Sequence, residues 1–331
     1  MQTVIDMSRM RQNIRRIRAV TKTGFCAVVK ANAYGHGIAT ACCIDPLVDC
    51  YMVATAEEAL ALMTLTEKPI LTLGGDITPF TRSYQPQIIP TVSDVSQLNG
   101  ILGTGYKRFS IAVNTGMNRL GANGAALNAL ISRCKELDIA PWSVYSHLYG
   151  GIASAPVQAS EFERLTSEPI LRKKRHLYAS SALDLSGYEL YDMTRCGLAM
   201  YGYGKGMDAC MKVRAKIVAL SQVRKGEHVG YGDYTLESDT LIATVRCGYA
   251  DGLRRSDMPL YLKVRGKKCR IIGQPCMDVC MIDVSGLPCR IGEYAYLISD
   301  REDAEYLAKC YGTIVYEVLT GFNGRSERFY V

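Results

Sequence analysis

The sequence predicts an α/β protein with an N-terminal (β/α)8 barrel of the TIM type, followed by a mainly-β domain. Three observations predict it. Up to about residue 206, short apolar runs alternate with helix-like stretches, the pattern of a parallel sheet or barrel. Beyond Gly206 the strand-like runs continue without long helices between them. A chain of 331 residues also exceeds the size at which one hydrophobic core is the norm. The expected domains are therefore 1–206 and 207–331.

In chain order, Thr3 to Ile5 is a candidate strand and Met7 to Ala19 a basic amphipathic helix. Phe25 to Val29 is a continuous apolar run, as in a strand buried on both faces. Tyr51 to Ala54 precedes the helix-forming AEEALALM segment. Pro69 to Leu73, Ile88 to Thr91, Arg108 to Val113, Trp142 to Ser146, His176 to Ala179 and Met193 to Cys196 complete the series, with helices near Val92 to Leu102 and Ala125 to Leu137. That makes about eight or nine strands, enough to close a barrel. The later strands are Val213 to Leu220, Thr240 to Val245, Leu260 to Val264, Arg270 to Gly273, Val279 to Asp283 and Ala295 to Ile298, with a helix or two near Asp303 to Leu319.

Composition excludes several classes of function. Hydrophobic residues at 48% and charged residues at 21% are ordinary for a globular chain. The net charge of +7 is scattered, and a short cluster such as Arg172 to Arg175 reads as a solvated helix end, so no nucleic-acid surface is indicated. Thirteen cysteines without paired CxxC spacing argue against a zinc site or a disulfide framework. Reduced thiols in a cytoplasmic protein fit them best. No apolar run reaches membrane-spanning length and the first residues lack a signal-peptide core, so the chain reads as soluble, with a longer, tethered parent left open.

The segment FCAVVKANAYGHG carries the first chemical signal. Lys30 ends the apolar run, where it either caps a strand in water or sits desolvated as a nucleophilic amine. Ala31, Ala33, Gly35 and Gly37 permit close approach of a ligand, and Asn32, Tyr34 and His36 add polar groups. If the barrel forms, Lys30, Arg119, His147 and Arg195 all sit at strand C-termini and share one mouth.

AVVKANAYGHG resembles the cofactor-lysine motif of the alanine racemase family, pyridoxal-phosphate (PLP) enzymes built from a barrel and a C-terminal β domain. Further matches extend the resemblance over nearly the whole chain. It implies that Lys30 holds the cofactor covalently, and that its phosphate meets Tyr34, Ser181 of ASSALD, the amides of Gly197 and Leu198 in RCGLAMYG, and Tyr316 of IVYEVL. Arg195 matches the arginine facing the pyridine nitrogen and His147 the histidine near the cofactor ring. Arg119 in NTGMNRLG matches the arginine that contacts cofactor and substrate carboxylate. Taken alone, Ser181 reads as a helix cap, His147 as a core histidine, and Tyr231 as one of 21 undistinguished tyrosines.

The resemblance further implies a two-base racemisation. Lys30 works on one face of the substrate Cα and Tyr231 of HVGYGDYT, reaching across from a second subunit, on the other. Met277 of the CMD motif is expected to cross over with it, and Tyr249 of GYADG to line the substrate entry. A phenol with an ordinary pKa near 10 serves as a base only beside cationic or hydrogen-bonding neighbours. A homodimer with composite sites, a small amino-acid substrate and D-alanine production for the cell wall follow from the same resemblance.

Departures stand beside the matches. Many relatives place a lysine seven residues before the Arg119 equivalent; here the residue is Ala112, so Arg119 needs another partner, with Asn114, an anion or a water as candidates. Gln274 and Ile152 replace a common channel arginine and aspartate, and the chain looks shortened after Gly37. Serine racemisation, a PLP-binding barrel without turnover, and a degenerate structural relative are the rival readings.

Overall fold

The computed structural model describes residues 1–180, 190–232 and 234–331, with the side chains of 151, 152 and 323 outside the description. Contacts divide the chain into two compact units. One comprises Met10–Ala33 and Ile38–Met207, the other Met1–Arg9, Tyr34–Gly37 and Asp208–Val331. Two N-terminal segments thus cluster with the C-terminal part, although they lie before residue 206.

The first unit is a parallel barrel. Met193–Cys196, Gly24–Val28, Cys50–Val53, Ile70–Thr72 and Ile88–Ile89 form one arc, and Thr91–Val92, Ser110–Ala112, Ser143–Tyr145 and Arg175–His176 the other. The arcs meet at Pro90, which has no N–H to give and interrupts a single strand. Its carbonyl still accepts from Ser110 N–H at 2.8 Å. On the far side, Asp192 N–H donates to Arg175 O at 3.0 Å and Arg195 N–H to Tyr178 O at 3.1 Å, closing the ring.

Helices follow the strands with local signals that explain their start points. Ala56–Met63 begins at Thr55, whose Oγ1 accepts from Glu58 N–H while Glu58 reaches back to the Thr55 N–H, a capping box. Val95–Gly103 begins at Asp94, whose carboxylate accepts from Gln97 N–H at 2.8 Å. Met7–Thr21 buries Met10, Ile14 and Ile17 along one stripe. Each such side chain contributes about 1.5–3 kcal/mol on burial.

The second unit is an eight-stranded sheet in the order 240–245, 280–283, 267–272, 261–264, 294–298, 211–223, 2–5, 327–330, with 240–245 also paired to 211–223. Thr3 to Ile5 belongs here and not to the barrel series. Its strand pairs antiparallel with Met211–Arg214 and parallel with Glu327–Tyr330, which satisfies both of its edges. Without it, and with the two short segments either side of Pro90 counted as one interrupted strand, eight barrel strands remain among the described residues. The helix or two expected near Asp303 to Leu319 are two, Arg301–Cys310 and Val315–Thr320. The strand Glu327–Tyr330 was not anticipated, because its polar ERFY sequence lacks a strong strand pattern.

Candidate active site

Lys30 stands two residues beyond the end of the Gly24–Val28 strand, whose chain is still tied to the neighbouring strand through Val29 N–H and Met52 O at 3.0 Å. The next residues make a left-handed turn: Ala31, Asn32, Ala33 and Tyr34 have φ of 51, 53, 54 and 52°. None is glycine, and this region costs an L residue about 1–2 kcal/mol. Hydrogen bonds hold the turn against that cost. Ala33 N–H donates to Val29 O at 2.8 Å, Ala31 N–H to Glu58 Oε1 at 2.7 Å, and Ile38 N–H to Asn32 Oδ1 at 2.7 Å. Burial pushes the Lys30 amine below its ordinary pKa; Arg119 and Arg195 push it the same way and Glu58 opposes them.

Arg195, at the end of the Met193–Cys196 strand, is 3% exposed. Its Nη1 donates to His176 O at 2.8 Å and lies 2.7 Å from His176 Nδ1. Its Nη2 donates to Ser146 O at 2.6 Å and Leu177 O at 3.0 Å, and lies 3.2 Å from His147 Nδ1. The guanidinium also lies 5.3 Å from the centre of the Tyr145 ring. Among the described residues, Nε has no acceptor, so it is the donor left for a ligand. His147 is held down to about 3 by burial, then by Arg195, Arg119 and Lys30, so its imidazole is neutral at ordinary pH.

At the same strand end the chain turns through Gly197 and Leu198. Among the described residues, neither N–H has a protein acceptor, and Gly197 is buried. Two amides presented this way suit an anion. Ala199 N–H donates to Ser180 Oγ at 3.1 Å, which fixes the turn. Ser180 follows the HLYA run in the sequence, but its partner lies 19 residues away and only the fold reveals it. Ser181 lies outside the described residues.

The barrel unit thus gathers Lys30, Arg119, His147, Arg195, Gly197 and Leu198. Arg119 is exposed, and among the described residues no hydrogen bond or ion pair holds it. Asn114 does not fill the place of the missing lysine. Its Oδ1 accepts from Gly116 N–H and Asn118 N–H at 3.0 and 3.1 Å and its Nδ2 donates to Asn118 Oδ1 at 2.8 Å, so it braces its own loop.

The second unit carries the remaining candidates. Tyr34 and Tyr316 have ring centres 5.9 Å apart. Tyr231 is 67% exposed between Gly230 and Gly232, both at positive φ. It lines a cleft of about 460 Å³ together with Gln274, Arg270 and Asp257. Tyr249 and Met277 are also exposed, and their loops are zipped together. Tyr249 N–H donates to Cys276 O and Ala250 N–H to Met277 O, both at 3.0 Å. A Cβ on Gly248 would lie 2.3 Å from Met277 O, so glycine is required for that approach. Among the described residues no group of three or more His, Cys, Asp or Glu side chains could hold a metal ion. No helix among them is long and apolar enough to cross a membrane.

Family models describe what this arrangement belongs to: "Alanine racemase, N-terminal domain" matches residues 5–205 and "Alanine racemase, C-terminal domain" matches residues 210–330. The chain belongs to the alanine racemase family. Within that family, the alanine racemase of Marinobacter nauticus is 32% identical over 352 aligned residues, covering 98% of this chain and 97% of that protein. That of Aquifex aeolicus is 29% identical, covering 99% and 98%. The alanine racemase from D-cycloserine-producing Streptomyces lavendulae superposes with a TM-score of 0.91 at 28% identity, over 100% of this chain and 96% of that one. The alanine racemase of Bartonella henselae, solved with covalently bound pyridoxal phosphate, gives 0.89 at 27% identity, over 100% and 99%. The α/β barrel with a mainly-β C-terminal domain is the architecture of the family.

Proposed function

We propose that this chain is a PLP-dependent amino-acid racemase, an isomerase, that interconverts L- and D-alanine by two-base proton exchange. The observation that carries the proposal is Arg195: a buried guanidinium with both Nη atoms committed to protein acceptors and Nε left to donate, beside a desolvated lysine. The residues present fit PLP. Lys30 would hold it, Arg195 Nε would meet its ring nitrogen, and the Gly197 and Leu198 amides would take its phosphate, a role that the family resemblance also gives to Tyr34, Ser181 and Tyr316. PLP supplies an electron sink that acidifies the proton on the substrate Cα.

The chain's own groups do the rest. Lys30, with its pKa lowered, has a larger neutral fraction and takes or returns a proton on one face of Cα. Arg195 cannot give up its proton at ordinary pH, so it donates a hydrogen bond without becoming an acid catalyst. That favours one-proton exchange over reactions that need a long-lived carbanion. His147 is uncharged and adds no competing cation. Arg119 is exposed and free to meet a substrate carboxylate.

Tyr231 of the partner subunit is the opposite-face base, and Met277 and Tyr249 of the partner subunit complete the substrate entry. The large exposure of these side chains supports this reading, which makes a homodimer the working unit. Tyr316 matches a position where serine-preferring members of the family tend to carry a smaller polar residue, which supports alanine over serine. Cytoplasmic D-alanine production for the cell wall is the role this activity serves. The test supplies PLP and compares racemisation of L-alanine, L-serine and L-lysine. Alanine is expected to turn over fastest; a preference for serine, or no racemisation of any of the three, would overturn the proposal.

A further inference from the structure

Glu58 is placed where a helix cap alone does not need it. Its Oε2 accepts from Ala54 N–H at 2.7 Å and from Thr55 N–H at 3.3 Å, which completes the capping box of Ala56–Met63. Its Oε1 turns the other way and accepts from Ala31 N–H at 2.7 Å, on the residue that follows Lys30. One carboxylate therefore ties the left-handed turn to the entry of a helix. Among the described residues it is also the acidic group acting on Lys30, faced by Arg119 and Arg195 with the opposite sign and by neutral His147.

We propose that Glu58 is a positioning residue for Lys30: it holds the backbone from which the amine projects and supplies the counter-charge to the two arginines. The inference rests on the reading of Lys30 as the residue that holds PLP. Sequence offers no sign of this role, because TAEEAL reads as an ordinary helix start. Replacing the carboxylate by an amide leaves one acceptor oxygen to serve Ala31 on one side and Ala54 and Thr55 on the other, and leaves the positive charges acting on Lys30 unopposed. The nitrogen of Lys30 then binds a proton less tightly.

The test uses purified holoenzyme and reads the pH midpoint of the visible absorbance of lysine-bound PLP, together with retention of PLP on dialysis. Glu58→Gln is expected to move the midpoint down by about half a pH unit or more and to weaken PLP retention about tenfold. Glu58→Asp keeps the charge but shortens the reach, and is expected to hold the midpoint closer to the parent value while still weakening retention. Thr55→Ala breaks the capping box and leaves the carboxylate in place; it is expected to lower Tm without moving the midpoint. A Glu58→Gln midpoint and PLP retention equal to the parent protein would overturn the proposal. So would a Thr55→Ala shift as large as that of Glu58→Gln, since that would make the role purely structural. Failure of the underlying reading is distinguishable: Lys30→Ala would then keep the visible absorbance, whatever Glu58 does.

Discussion

Arg195 Nη1 lies 2.7 Å from His176 Nδ1, and because a guanidinium only donates, that ring nitrogen is the acceptor. The proton of His176 therefore sits on Nε2, which faces Ser143 Oγ at 3.1 Å, and Ser143 Oγ lies 2.7 Å from Ser110 Oγ. The chain of contacts runs through the barrel interior beneath the site. His176→Ala removes an acceptor from a buried cation and opens a cavity, and is expected to cost about 2–4 kcal/mol of stability. Urea denaturation checks this. A loss within about 0.5 kcal/mol would mean that His176 does not support Arg195.

Stability should also fall in mild acid. His147 is held at about 3 against an ordinary 6.5, and His176 is pushed well below 6.5 by burial and then by Arg195. Both groups bind a proton more readily in the unfolded chain, so acid favours unfolding. Their contribution is complete above 6.5 and drains away as pH falls below it, for His147 down toward 3. Carboxylates such as Asp300, held at about 2 against 3.8, add the same sign only at lower pH. Tm followed between about pH 7 and 4.5 is therefore expected to drop, and His147→Asn to flatten the curve. An unchanged slope in His147→Asn would show that His147 is not the neutral buried group described.

Tyr231 separates the two faces of the reaction. Tyr231→Phe is expected to slow proton removal from one alanine enantiomer about 100-fold or more, and the other far less. Under the proposed assignment, L-alanine is the slowed one. Single-turnover exchange of the Cα hydrogen with solvent deuterium measures both. Equal slowing would argue against bases on opposite faces.

Much of this protein is legible in its residues. The apolar run ending at Lys30, the alternation of strand and helix to residue 206 and the helix-poor remainder depend on local pattern, which physical chemistry reads over short windows. The spacing of Lys30, Arg119, His147 and Arg195 at strand ends also follows from a parallel barrel, where all C-termini share one face. Only tertiary structure decides the partners. Thr3 to Ile5 looks like any first strand until Met211–Arg214 and Glu327–Tyr330 pair with it. Ala31 to Tyr34 carry no glycine, so no propensity rule predicts a left-handed turn there; bonds from Val29, Glu58 and Asn32 impose it. His176 beneath Arg195, Ser180 on Ala199 and the commitment of Asn114 to its own loop are decided by contacts that spacing does not encode. The division has a physical cause: periodicity and caps act within a few residues, whereas the hydrogen-bond partner of a buried group is chosen by whichever distant segment the fold brings to it.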